Sequence, residues 1–177
     1  MFNGYLAENG HLVTEECGPY RGSTNGDSCK FYEKCAPAAK VDDSYFIGVS
    51  AAVEKIDEQK IRKEILRNGP VVGEFKAPNK FRYYDKGVLT DEARPANSAN
   101  VQLETDAQVN LGIANQNLDH SIMLMGWGHD PASGNDVWIA RNSFGPNWGE
   151  KGDFYIRRGQ NDFGIESEVS AYLVSLA

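Results

Sequence analysis

The chain has 177 residues, 41% of them hydrophobic and 24% charged, with a formal net charge of −7 and a pI near 5.0. These values lie in the range of ordinary globular proteins and exclude disordered and collagen-like chains. The apolar runs, Ile122 to Gly126 among them, fall far short of the roughly 18–20 residues of a membrane-spanning helix, and an acidic balance without any Lys/Arg block excludes the footprint of a nucleic-acid binder.

In chain order, Phe2, Tyr5, Leu6 and Asn9 recur at helical spacing and Gly10 suits a left-handed helix end, so the chain is expected to open inside a helix. Neither a signal-type apolar region nor an Asn-x-Ser/Thr sequon is present, so nothing in the sequence itself assigns a compartment. The three cysteines, Cys17, Cys29 and Cys35, fall within nineteen residues, and Gly18 to Pro37 is rich in Gly, Pro, Ser, Asn and Asp. Gaps of eleven and five residues do not match a zinc knuckle, so this stretch reads as an ordered loop held by a disulfide. The odd number leaves one cysteine free, or paired with a segment absent from this chain.

Asp57 is placed to cap a helix through Glu58 to Leu66, with Ile61, Ile65 and Leu66 on one face and Gly69-Pro70 as its stop. Val71 to Phe75 then reads as a strand, Phe81 to Tyr84 as a short turn or helix, and Gly87 to Leu89 as a second strand. The Ala/Asn/Gln-rich stretch from Asp91 to Leu118 is too long for a structureless connection and reads as a lid, a processing loop or an interface. Beyond it come strands at Ser121 to Gly126, Val137 to Arg141, Gly152 to Arg158 and Val169 to Val174, with turns at Asp130 to Gly134 and Pro146 to Gly149. Short strands with such turns point to an antiparallel sheet or barrel. Ile122/Leu124 and Met123/Met125 predict a strand buried on both faces, and Tyr83-Tyr84 reads as packing.

Residues suited to chemistry collect in the C-terminal half. His120 opens one predicted strand and Asn142 closes another, so the Asn oxygen could accept the ring N–H and leave the other ring nitrogen to face a nucleophile. Asp119, His120, His129 and Asp130 do not have the spacing of a shared metal sphere, and no cofactor is expected.

The strings Leu118-Asp119-His120-Ser121, Gly126-Trp127-Gly128, Trp138 to Gly145, Trp148-Gly149-Glu150-Lys151-Gly152 and Phe163-Gly164-Ile165-Glu166-Ser167 resemble the papain-like cysteine peptidases. Glu16-Cys17-Gly18-Pro19-Tyr20, Gly69-Pro70 and Tyr84-Asp85-Lys86-Gly87-Val88 are similar to earlier segments of the same family. The cysteine spacing and Ile156-Arg157-Arg158-Gly159 lean towards cathepsin C, and Gly164 to Val169 towards cathepsin B. The resemblance implies an α+β papain-like fold in two parts: the C-terminal part of a helical left domain over residues 1–48, and an antiparallel, barrel-like right domain over 49–177 with the insert 91–118. It implies His120 as general base and acid, Asn142 as its orienting partner, and Asp119, Trp148 and Glu168 as substrate-binding residues. Trp148 would line the leaving-group side, and Glu168 would favour a basic side chain in the second specificity pocket.

By the same resemblance Cys17 pairs with Cys35, while Cys29 matches a cysteine bonded to an upstream segment; the nucleophilic Cys, the oxyanion Gln and the central helix all belong before Met1. Phe144 stands where the family has Trp, and Phe163 where it usually has Cys. The expected partners are a Cys-bearing segment or other protein chain and a peptide substrate, in a lysosomal, vacuolar or secreted setting. Two functions follow: the C-terminal portion of a cathepsin C/B-like peptidase completed by that segment, or an inactive papain-like module serving as a structural or binding subunit.

Overall fold

A computed structural model describes residues 11–18, 34–49, 57–91 and 118–177. The expected first helix, Cys29, most of the cysteine loop and nearly all of the insert lie outside these residues. The chain divides into two compact units, one of residues 1–45 with 172–177 and one of 46–171.

In the first unit, β1 (His11–Leu12) pairs antiparallel with the start of β2 (Ala39–Val49), His11 opposite Lys40 and Leu12 opposite Ala39. Thr14 turns the chain, its carbonyl accepting from Gly18 N–H at 2.9 Å, and brings Cys17 to Cys35. These two cysteines form a disulfide with Cα atoms 5.9 Å apart. Closing 18 residues of chain in this way stabilises the unit by about 3 kcal/mol through the unfolded-state entropy it removes.

The second unit is built on a sheet in the order β8-β3-β5-β6-β7-β4. Its strands are β3 (Val71–Phe75), β4 (Val88–Leu89), β5 (His120–Asp130), β6 (Asn135–Arg141), β7 (Asp153–Arg157) and the start of β8 (Glu168–Leu176), whose residues from Tyr172 on belong to the first unit. All neighbours are antiparallel except β4, which runs parallel to β7 with Val88 opposite Tyr155. The sequence signals that single out β4 do not carry its direction. The Tyr84 hydroxyl donates to Gly87 O and accepts from Tyr155 N–H, tying the chain before β4 to β7. Burial pushes the Tyr84 phenol up to about 12, aided by the Glu150 carboxylate at its oxygen. Tyr84 packs on Trp148 and Phe154, whereas Tyr83, expected to pack as well, is 86% exposed.

The core is one face of this sheet: Val71 and Phe75, Ile122 and Leu124, Trp138 and Ala140, Phe154 and Ile156, and Val169 are all buried. β5 is therefore not buried on both sides; Met123, opposite Val72 and Arg141 on its neighbours, is 43% exposed. An antiparallel sheet packed on one face leaves alternate residues on the other. β5 also runs past the expected Gly126, through a register shift between Leu124 and Gly126, to Asp130. A Cβ at Gly73 on β3 would lie 3.2 Å from Leu124 Cδ1, so a larger residue there would have to displace the Leu124 side chain by a few tenths of an ångström.

α1 (Glu58–Asn68) packs on β5 and β3. Asp57 Oδ1 accepts from Gln59 N–H at 3.0 Å, capping the helix as the sequence predicts. Gly69, at φ +94°, ends it by donating its N–H to Ile65 O. Ile61 is fully buried, but Leu66 is 73% exposed. Leu66 follows Ile65 by one residue, about 100° around the helix, which carries it off the Ile61/Ile65 stripe. At the far end of the sheet Glu166 is fully buried and accepts from Trp138 Nε1, Gly159 N–H and Asn161 N–H, so the carboxylate is solvated by protein donors. This gives the Gly-Ile-Glu-Ser string a structural role.

Candidate active site

His120 is the first residue of β5 and Asn142 follows the last residue of β6. Because β5 and β6 are antiparallel neighbours, these two ends lie side by side. Asn142 N–H donates to Gly152 O at 2.9 Å, which fixes its backbone against the turn before β7. His120 Nε2 lies 2.8 Å from Asn142 Oδ1, and the same oxygen accepts from Ser143 N–H at 2.8 Å. A backbone N–H can only donate, so the amide atom it meets is the oxygen, and the ring nitrogen facing that oxygen is the donor. Nε2 therefore carries the proton of the neutral ring and Nδ1 is left as an acceptor. Asn142 is buried, and its Nδ2 finds no hydrogen-bond partner among the described residues.

Aromatic rings enclose the imidazole, with centroids of Phe144, Phe81 and Phe75 at 5.4, 5.6 and 5.8 Å. Phe75 stands opposite His120 in the β3–β5 register, and Phe81 comes from the 3-10 turn at Asn79–Tyr83. Phe144, the residue in place of the family Trp, contacts the ring but is 48% exposed. Trp148 joins the cluster one shell out, 4.8 Å from Phe81 and 5.5 Å from Phe144, with its Nε1 donating to Arg82 O at 3.1 Å. The structure thus brings His120, Asn142 and Trp148 into one place.

Asp119 and Glu168 are held by other contacts. The Asp119 carboxylate accepts from Lys76 Nζ at 2.5 Å and from Ala77 N–H at 2.8 Å. Partial desolvation works to raise this carboxyl, but the Lys76 and Ala77 hydrogen bonds and the lysine charge outweigh it and hold the group below its usual range. Glu168 opens β8 directly opposite Glu74 on β3. Burial, and then the Glu74 charge, push the Glu168 carboxyl up.

Lys76, Phe81 and Glu74 are the site's neighbours that the sequence reading did not single out. The period-two burial of β3 places Glu74 on the face opposite Val71, Gly73 and Phe75. Nothing local says that Glu168 faces it, because that pairing joins distant strands. The two described cysteines are bonded to each other, so neither is a free thiol. No group of three His, Cys, Asp or Glu side chains that could hold a metal ion occurs among the described residues.

The pattern of the papain family cysteine proteases matches residues 2–173. The chain belongs to this family. Among its relatives, a cathepsin B-like cysteine proteinase 1 of Haemonchus contortus is 29% identical over 98% of this chain and 49% of its own length. A cathepsin B-like protease 1 of Arabidopsis thaliana is 31% identical over 93% of this chain and 40% of its own length. Dipeptidyl aminopeptidase 1 of Plasmodium falciparum is 37% identical over 71% of the chain and 18% of its own length. The chain spans about half the length, or less, of these relatives. Digestive procathepsin L 3 of Tenebrio molitor shares the papain-family fold at a TM-score of 0.67 and 23% identity, over 96% of this chain and 46% of that one. Bromelain from Ananas comosus does so at 0.67 and 18% identity, over 96% and 66%. No described helix is long and apolar enough to cross a membrane.

Proposed function

We propose that this chain supplies the His/Asn half of a papain-family peptidase site, completed by a cysteine-bearing segment or second chain. The observation that carries this reading is the His120 Nε2–Asn142 Oδ1 hydrogen bond, with the oxygen pinned by Ser143 N–H. It leaves Nδ1 free to take a thiol proton, forming a thiolate–imidazolium pair. The thiolate attacks the peptide carbonyl, the imidazolium protonates the leaving amine, and water then hydrolyses the acyl-enzyme with the ring again as base. Asn142 holds the ring's tautomer and orientation throughout.

In this reading residues 1–48 close a left domain and 49–177 form the right domain. Trp148 lines the leaving-group side of the cleft beside Phe144. Glu168, reinforced by Glu74 across the β3–β8 pair, makes the second specificity pocket doubly acidic and favours a basic substrate side chain there. The Cys17–Cys35 disulfide supports a lysosomal, vacuolar or secreted setting.

The test is to treat the native assembly with a thiol-reactive peptide probe and isolate this chain. Co-purification of a labelled cysteine-bearing partner supports the reading, and His120→Ala in the reconstituted assembly is expected to lower turnover about 10²- to 10⁴-fold. An assembly without a labelled partner sinks it and leaves the chain as a non-catalytic, papain-like module.

A further inference from the structure

The end of β3 is fastened to the start of β5 at three points just before His120. Asp119 N–H donates to Phe75 O at 3.2 Å, Ala77 N–H donates to Asp119 Oδ1 at 2.8 Å, and Lys76 Nζ donates to Asp119 Oδ2 at 2.5 Å. Lys76 N–H in turn donates to Phe163 O at 2.8 Å, so the residue that supplies the ammonium is itself anchored to the turn before β8. Both carboxylate oxygens of Asp119 are therefore occupied, and the peptide leading into His120 is tied to the end of β3.

Other charges on the elements around the imidazole do not offer this fastening. Arg141, next to Asn142, is bound by both oxygens of Asp153 at 2.8 and 3.1 Å. Lys80 and Arg82 flank Phe81 on the exposed side of the 3-10 turn, and Glu74 lies opposite Glu168 on the other face of β3. Among the described residues, Lys76 is the cation that reaches Asp119, the residue adjoining His120.

We propose that Lys76 is a positioning residue for His120: its ion pair with Asp119 locks the entry to β5 and thereby holds the imidazole in line with Asn142. The hydrogen bond to Ala77 alone is a single contact about which the Asp119 side chain can turn. The second contact, from Lys76 to the other oxygen, removes that freedom. The residue acts through Asp119, its ammonium bonded to that carboxylate and its backbone N–H to Phe163 O. This rests on the reading of the His120–Asn142 pair as the working half of a peptidase site.

The test follows the His120 Nε2 proton by NMR in the full 177-residue chain, isotope-labelled, with no substrate or thiol partner. Lys76→Ala is expected to speed exchange of that proton with solvent about two- to fivefold, the range an exposed ion pair can supply. Lys76→Arg is expected to restore the wild-type rate. Asp119→Asn keeps an acceptor for Ala77 N–H while removing the charge, and is expected to match Lys76→Ala, with the double variant no faster than either. The melting temperature of each variant reports any general loosening separately. Wild-type exchange in both Lys76→Ala and Asp119→Asn, or acceleration that Lys76→Arg fails to reverse, overturns the proposal. Because no partner takes part, a failure here and the absence of a labelled partner in the native assembly are read independently.

Discussion

At the residue scale, the chemistry rests on how few orientations each polar group has left. Asn142 has its oxygen shared between a backbone donor and the imidazole, so neither the amide nor the imidazole can flip without losing a hydrogen bond. Glu168 is the opposite case, a carboxylate placed across from another of like charge and partly desolvated. Its folded-state pKa is raised, so the folded state prefers the protonated form. The stabilising contribution is full below the usual carboxylate range, around pH 4, and is lost as pH rises through the raised value. Glu168→Gln is therefore expected to stabilise the protein at pH 7 by up to about 1 kcal/mol and to have no effect near pH 4, measured by urea unfolding at both pH values. A gain that persists undiminished near pH 4 would remove the like-charge explanation. Asp119 titrates in the other sense: its pKa is lowered, so its contribution is present above the usual range and fades as pH falls through the lowered value. With both partners about half exposed, that contribution is small.

At the element scale, α1 and β5 show where pattern and packing part. The cap at Asp57 and the glycine stop at Gly69 are local chemistry, and both elements of that expectation hold. The apolar face of α1 is narrower than expected because the sheet accepts the Ile61 side and leaves Leu66 in water. Ile61→Ala is expected to cost about 2–5 kcal/mol, as for other fully buried isoleucines, whereas Leu66→Ser should fall within about 0.5 kcal/mol of wild type. Chemical denaturation of the two variants side by side checks this; equal losses would place Leu66 in a contact that the described residues do not contain. β5 makes the same point in a strand. Four consecutive apolar residues read as doubly buried, but a sheet packed on one face buries Ile122 and Leu124 and leaves Met123 outside.

At the scale of the whole molecule, the two units rest on different means of support. The second has a buried aromatic and aliphatic core with an internal carboxylate satisfied by Trp138 and backbone N–H groups. The first has a two-residue β1 paired to the start of β2 and a disulfide closing 18 residues. Reduction of Cys17–Cys35 is expected to remove about 3 kcal/mol from the first unit. In hydrogen exchange, amides of β1 and the start of β2 should lose protection while those of β5, β6 and β7 keep theirs. Equal loss in both sets would show that the second unit depends on the bond.

Much of the site is legible along the chain. The residues of β3, the capped helix, the strand and turn order after Leu118, and the pairing of a strand-initial His with a strand-final Asn all follow from local spacing and turn chemistry. The motif strings also place the chain in its family. Those signals are short-range: caps, period-two alternation and glycine turns act over a few residues. What they do not contain is which distant strand lies alongside. The tertiary structure alone set β4 parallel to β7, brought Glu74 opposite Glu168, tied Lys76 to Asp119, and chose which side of β5 and α1 would face water. Each of these is a contact between segments far apart in sequence, fixed by the packing of the core as a whole.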